Sequence, residues 1–196
     1  MATLRTVTQA AESLYKSSGS KHLGFSFSIA SEKEAKEKLD ALWLKFPDAT
    51  HICYAYILRS GLERSSDDGE PAGSAGKPIL NVLKSEKVLN VLVAVVRYYG
   101  GTKLGIPGLI DAYKSAAKMV LDQSHIADIQ VECVLFFQLS YEQQPVFMNR
   151  LNRMNYTKKE IHQNEHFEML ISVNEEDTSR FIEMAEELNV FVEVKN

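Results

Sequence analysis

Hydrophobic and polar positions alternate cleanly at several places along the chain. From Leu23 to Ile29, Leu, Phe, Phe and Ile recur at every second position, the period of a half-buried strand. Ser31 is then placed to cap a helix from Glu32 to about Phe46. Ala35, Leu39, Leu42, Trp43 and Phe46 form its apolar face, Lys33, Glu34, Lys36 and Glu37 its charged face, and Pro47 ends it. His51–Arg59 reads as a strand rich in Tyr and Ile, and a helix starting near Ser74 takes in Pro78–Leu83. Val88–Tyr98 is apolar on both parities, as in a central strand covered on both faces. Pro107 or Gly108 opens a helix to about Gln123, with Leu109, Ile110, Tyr113, Ala116, Ala117 and Val120 as its inward stripe.

A boundary falls near residues 125–130. Beyond it Ile129–Leu139 reads as one long strand and Glu142–Met154 as a helix. Tyr156–Asn164 and Phe167–Val173 form a hairpin around Asn164-Glu165, followed by a helix over Glu175–Leu188 and a last strand at Val190–Val194. The order β-α-β-β-α-β is the split βαβ, or ferredoxin-like, arrangement. The fold class expected is therefore α+β, in two domains: residues 1–127 and a ferredoxin-like domain over 128–196.

Composition narrows the class. A hydrophobic fraction of 45% and a charged fraction of 24% suit a packed globular chain. No apolar run has the ~18 residues of a membrane span, and the N-terminal segment lacks the pattern of a signal peptide, so a cytoplasmic protein is expected. Cys53 and Cys133 lie in separate strand-like runs and read as buried thiols. His51 and Cys53 are two apart without a further ligand to complete a metal set; His125, His162 and His166 share no ligand spacing either. The net charge of −4 is unevenly spread: residues 1–128 carry +2 and residues 129–196 carry −6. An anionic partner is steered to the first part, but no Lys/Arg run makes a polycationic patch.

Two glycine-rich stretches between Asp67 and Gly108 carry the candidate chemistry. The first is Arg64-Ser-Ser-Asp-Asp-Gly-Glu-Pro-Ala-Gly-Ser-Ala-Gly-Lys-Pro78. Gly73 and Gly76 permit tight turns, and the amides of Gly73–Lys77 at a helix start suit an anion. The spacing is not that of a Walker A loop. Asp67, Asp68 and Glu70 are either caps of turns and the helix start or an acidic motif able to hold a metal. The second stretch, Arg97-Tyr-Tyr-Gly-Gly-Thr-Lys-Leu-Gly-Ile-Pro-Gly108, leaves a buried strand and enters a helix. Arg97 and Lys103, with the turn at Gly100-Gly101, suit phosphate or carboxylate; Tyr98 and Tyr99 suit stacking, or else pack at the strand end.

Ser66-Asp-Asp-Gly-Glu-Pro-Ala-Gly-Ser-Ala-Gly-Lys-Pro-Ile-Leu80 and Val96-Arg-Tyr-Tyr-Gly-Gly-Thr-Lys-Leu-Gly105 resemble the signature of the IMPACT family, over about residues 15–124. The resemblance implies an N-terminal fold similar to the second domain of ribosomal protein S-five, and a C-terminal domain similar to the last domain of elongation factor G. Both analogies point to RNA or the ribosome, and eukaryotic relatives are similar to translation regulators. Where the family continues with Gly-Gly-Leu-Val-Arg-Ala-Tyr, this chain has Pro107-Gly-Leu-Ile-Asp-Ala-Tyr113. Its Lys21-His-Leu-Gly-Phe25 departs from the usual Ser-Arg-Phe-Ile. Asp111 in place of an arginine near a helix start weakens the case for a phosphate there.

The leading expectation is a noncatalytic, translation-linked regulator that binds RNA, the ribosome or a translation-associated protein, with no cofactor, no membrane and no DNA sequence specificity. Arg97, Lys103 and Lys77 would neutralise phosphate, Tyr98 and Tyr99 would stack, and Gly73, Gly76, Gly100 and Gly101 would shape the loops. The alternative is a metal-dependent enzyme acting on a phosphate-containing or nucleotide substrate through Asp67, Asp68 and Glu70. Against it, neither stretch holds a nucleophile–base pair. A third class is a protein-interaction module using the same loops.

Overall fold

The computed structural model describes residues 3–163 and 165–195. Contacts divide the chain into two units, one of Leu4–Ile129 and one that carries the chain from Gln130 onward.

The first unit is built on a five-stranded sheet. Its strands are β2 (Glu12–Ser17), β3 (Ser20–Ser28), β4 (His51–Ile57), β5 (Glu63–Ser66) and β6 (Val91–Tyr98), in the order β2-β3-β6-β4-β5 with every neighbour antiparallel. β6 is buried from Val91 to Arg97, as a central strand with both faces covered must be. Alternation sends Leu92, Ala94 and Val96 to the face under α1 (Glu32–Lys45). Val91, Val93 and Val95 go to the face under α2 (Gly76–Glu86) and α3 (Gly105–Gln123). Arg97 is the next residue of that second row, so a cation ends a row of valines beneath two helices.

Helix α1 starts where the sequence predicts: the Ser31 side chain accepts a hydrogen bond from the Glu34 amide at 3.2 Å. Its apolar face packs on the sheet except at one residue, with Leu39 and Phe46 partly buried there. Ala35 and Leu42 are buried, while Trp43, the single tryptophan, stays 39% exposed. Helix α3 begins two residues before Pro107, which the first turn tolerates because its missing N–H has no helical acceptor there. Asp111 therefore lies in the second turn, exposed, rather than at the helix start. Ile110 is half-exposed instead of inward.

Three strands escape the sequence pattern: β1 (Thr3–Gln9), β2 and β5. β1 forms a two-stranded sheet with β7 (His125–Gln130), where the Thr8 hydroxyl donates to the His125 carbonyl at 3.1 Å. The long strand expected from Ile129 to Leu139 is interrupted. β7 ends at Gln130 and β8 (Glu132–Leu139) starts a new sheet, with the Val131 carbonyl between them accepting from the Glu175 amide at 2.9 Å.

The second unit runs β8, α4 (Gln144–Leu151), β9 (Lys158–Gln163), β10 (Phe167–Asn174), a short 3-10 turn (Glu175–Asp177), α5 (Thr178–Glu187) and β11 (Phe191–Lys195). Its antiparallel sheet has the order β11-β8-β10-β9, the ferredoxin-like order. Leu135, Phe137, Met169, Ile171 and Val173 face Phe147, Leu151, Phe181 and Ala185 of the helices in one apolar core. β9 and β10 pair as a hairpin; of its expected turn, Asn164 lies outside the described residues. No helix among the described residues is long and apolar enough to cross a membrane.

Candidate functional site

The first glycine-rich stretch follows β5 and folds back on the start of α2. Asp67 is its pivot. One carboxylate oxygen accepts from the amides of Ala75 (3.0 Å) and Gly76 (2.7 Å), the other from Gly73 (2.7 Å). Burial pushes the Asp67 carboxyl up, but these three donors outweigh it and hold it below the usual carboxylate range. Of the amides expected to cradle a ligand anion, those of Gly73, Ala75 and Gly76 are thus filled by an anion of the chain itself. Gly76 is required by packing: a Cβ there would lie 2.7 Å from the backbone nitrogen of Ser66. Asp68, at φ 45°, turns its carboxylate onto the Ile52 amide at 2.6 Å, and its carbonyl meets His51 Nδ1 at 2.6 Å.

Glu70 points inward, its side chain 4% exposed, and forms an ion pair with Arg97, whose side chain is 6% exposed. The Tyr113 hydroxyl donates to the same Glu70 oxygen at 2.8 Å. This pair joins the two glycine-rich stretches, 27 residues apart, at one end of the sheet. Strand register adds two histidines: His22 and His51 both stand opposite Arg97, and Tyr15 stands opposite His22. A polar row therefore crosses the sheet under α3, with the His22 ring edge-on to Tyr113 at 5.3 Å. Neither His22 nitrogen has a partner, nor does Arg97 Nε. Burial, helped by the Arg97 charge and opposed by Glu70, lowers the His22 imidazole from 6.5 to about 4. Nearby, the Cys53 thiol donates to the Asp67 carbonyl at 3.0 Å, with the Tyr113 hydroxyl 3.3 Å from its sulfur. Burial pushes both the Cys53 thiol and the Tyr113 hydroxyl far above their ordinary values.

The second stretch divides between inside and outside. Arg97 is interior, against the expectation of a free cation, because strand parity aims it under the helices. Tyr98 is half-buried with its hydroxyl donating to Asp48 at 3.1 Å; Tyr99 is 47% exposed, its ring 5.7 Å from the Arg97 guanidinium carbon. Gly100 packs on the β2–β3 turn: its amide donates to the Ser20 hydroxyl at 3.1 Å, and a Cβ would lie 1.9 Å from the Gly19 carbonyl carbon. Gly101 takes φ 87° and its carbonyl accepts from the Tyr99 hydroxyl at 2.7 Å. Lys103 is exposed. Beside the two tyrosines, Leu14, Lys21, Leu23 and Asp48 complete a concavity of about 550 Å³. Lys77 lies elsewhere, in a groove between α2 and α3. Among the described residues no three His, Cys, Asp or Glu side chains form a metal-ligand group.

Sequence reasoning missed Glu70 as the partner of Arg97, His22 as a core residue beside it, and Tyr113 as a donor. The one available signal was a tyrosine in an apolar helix stripe, whose hydroxyl needs a partner when buried.

Comparison with known proteins agrees with this architecture. Residues 18–121 match the model of the Impact N-terminal domain. The IMPACT family member YvyE of Bacillus subtilis is 33% identical over 162 residues, 82% of this chain and 75% of that protein. An IMPACT family member of Thermus thermophilus is 47% identical over 92 residues, so the chain spans 49% of that relative's length. A solved structure described as that of a hypothetical protein has a TM-score of 0.74 at 23% identity, covering 100% of this chain and 98% of that one; the likeness shows the fold. With a domain model over more than half its length and a relative matched over most of both chains, this chain belongs to the IMPACT family.

Proposed function

We propose that the chain is a noncatalytic regulator linked to translation that binds RNA, on or near the ribosome, at the end of the first unit's sheet. The observation that carries this reading is the exposed Tyr99, lying over the buried Arg97 and beside Lys21 and Tyr98 in an open concavity. An aromatic ring with lysines around it is the minimum apparatus for stacking a base while neutralising its phosphate. Lys103, exposed in the same loop, adds a second cation. Arg97 acts here through Tyr99, holding the ring from below, and not as a free phosphate ligand.

The noncatalytic part rests on how the reactive groups are spent. Asp67, Asp68 and Glu70 are each bonded to the protein. A raised Cys53 thiol is a poor nucleophile, since the thiolate is the reactive form. These bonds disfavour a metal-dependent enzyme built on the acidic motif.

The test is a filter-binding titration of a uridine-rich RNA against salt. Lys103→Glu is expected to weaken binding and lower the salt slope by about one, and Tyr99→Ala to weaken it at every salt concentration. Affinities equal to wild type in both variants would sink the reading.

A further inference from the structure

The groove between α2 and α3 has no part in that reading. It holds about 610 Å³. Lys77, Pro78, Asn81 and Val82 form one wall, Ile110 and Lys114 the other. Its charge is one-sided. Among the described residues no carboxylate lines it, and neither Lys77 nor Lys114 has an ion-pair partner. The neighbouring lysines do: Lys84 pairs with Glu63 at 2.6 Å, and Lys118 with Glu86 at 3.0 Å and Asp122 at 2.5 Å. Lys114 also borders the adjacent depression of Asp111 and Asp122, but no ion pair ties it there. The floor is apolar: Val82 is 4% exposed and Pro78 buried, while Ile110 is left 37% exposed in a helix whose Leu109 and Tyr113 are buried.

Two cations facing each other over an aliphatic floor select among anionic partners. A nucleic acid finds no aromatic ring to stack on and only two charges, and it gains nothing from Ile110. A peptide with an aliphatic side chain between acidic ones satisfies both walls, as amphipathic segments do in helix-lined grooves. We infer that the α2–α3 groove docks a short acidic, amphipathic segment of a partner protein. An aliphatic residue sits on Ile110 and Val82, with carboxylates against Lys77 and Lys114. The inference stands apart from RNA binding at the sheet end, because the two surfaces share no residue.

The experiment pans a library of random displayed peptides on the full chain and measures the consensus peptide, fluorescein-labelled, by anisotropy. Enrichment of Asp or Glu around Leu or Ile is expected. The double variant Lys77→Glu/Lys114→Glu should weaken binding roughly tenfold or more, from two lost rim ion pairs, and Ile110→Ala a few-fold. If the double variant melts below wild type, the neutral pair Lys77→Gln/Lys114→Gln is measured instead, with a weakening of several-fold expected. Consensus peptides without acids, or equal affinity for the charge variants, would overturn the inference. So would a uridine-rich RNA that needs both lysines while no peptide binds, which would make the groove an RNA site.

Discussion

The two glycine-rich stretches look alike in composition and are built for opposite ends. The first closes on itself: Asp67 occupies the amides of Gly73, Ala75 and Gly76, and Glu70 is drawn beneath the helices. The second opens outward after Arg97, leaving Tyr99 and Lys103 to solvent. Glycine in the first lets a helix start approach the Ser66 backbone, and in the second lets a strand end approach Gly19. A glycine-rich loop ahead of a helix is therefore not by itself a ligand cradle. Whether an internal carboxylate already fills it decides the matter.

On that contrast, substitutions in the closed half cost stability, and those of the exposed side chains of the open half cost binding. The largest effect is expected from Glu70→Ala, which leaves Arg97 buried without a counter-charge; about 3–5 kcal/mol should be lost in a urea titration. Gly100→Ala, where the open stretch seats on the β2–β3 turn, forces a Cβ into the Gly19 backbone and should cost about 3 kcal/mol by the same measurement. A midpoint unchanged from wild type would show that the loop is not seated on the β2–β3 turn.

His22→Phe separates packing from charge. The folded imidazole titrates at about 4, below the ordinary imidazole value of 6.5, so the unfolded chain takes up the proton first. Stability on this account is full above pH 6.5 and falls as pH drops towards 4, by about 2 kcal/mol at pH 5. A phenyl ring keeps the edge contact with Tyr113 without the two unpartnered nitrogens. The variant should melt higher than wild type, with a margin that widens from pH 8 to pH 5. A constant margin would sink the protonation argument. The smallest effect belongs to the open half: Tyr99→Ala should move the unfolding midpoint by less than about 0.5 kcal/mol while lowering RNA affinity.

Much of the fold was legible because its signals are local. The continuous apolar run of β6, the Ser31 cap and the second unit's element order all survive in the structure. What failed depended on distant partners. β1 carries Thr6 and Thr8 where a strand pattern wants larger apolar groups, and it exists because β7 pairs with it. The break at Val131 has no breaker residue; a carbonyl is diverted to Glu175, 44 positions on. The candidate site followed the same rule. Its loops were visible as glycines, but that Arg97 points inward follows from a strand parity shared with Val93 and Val95. That Glu70 meets it follows from how the loop folds back.

The lone Trp43 sits on α1, and the second unit has no indole at all. Its emission is thus a built-in reporter of the first unit alone, whereas far-ultraviolet dichroism sums both. Chemical denaturation followed by the two signals together will separate the units if they come apart independently and superimpose if they unfold as one.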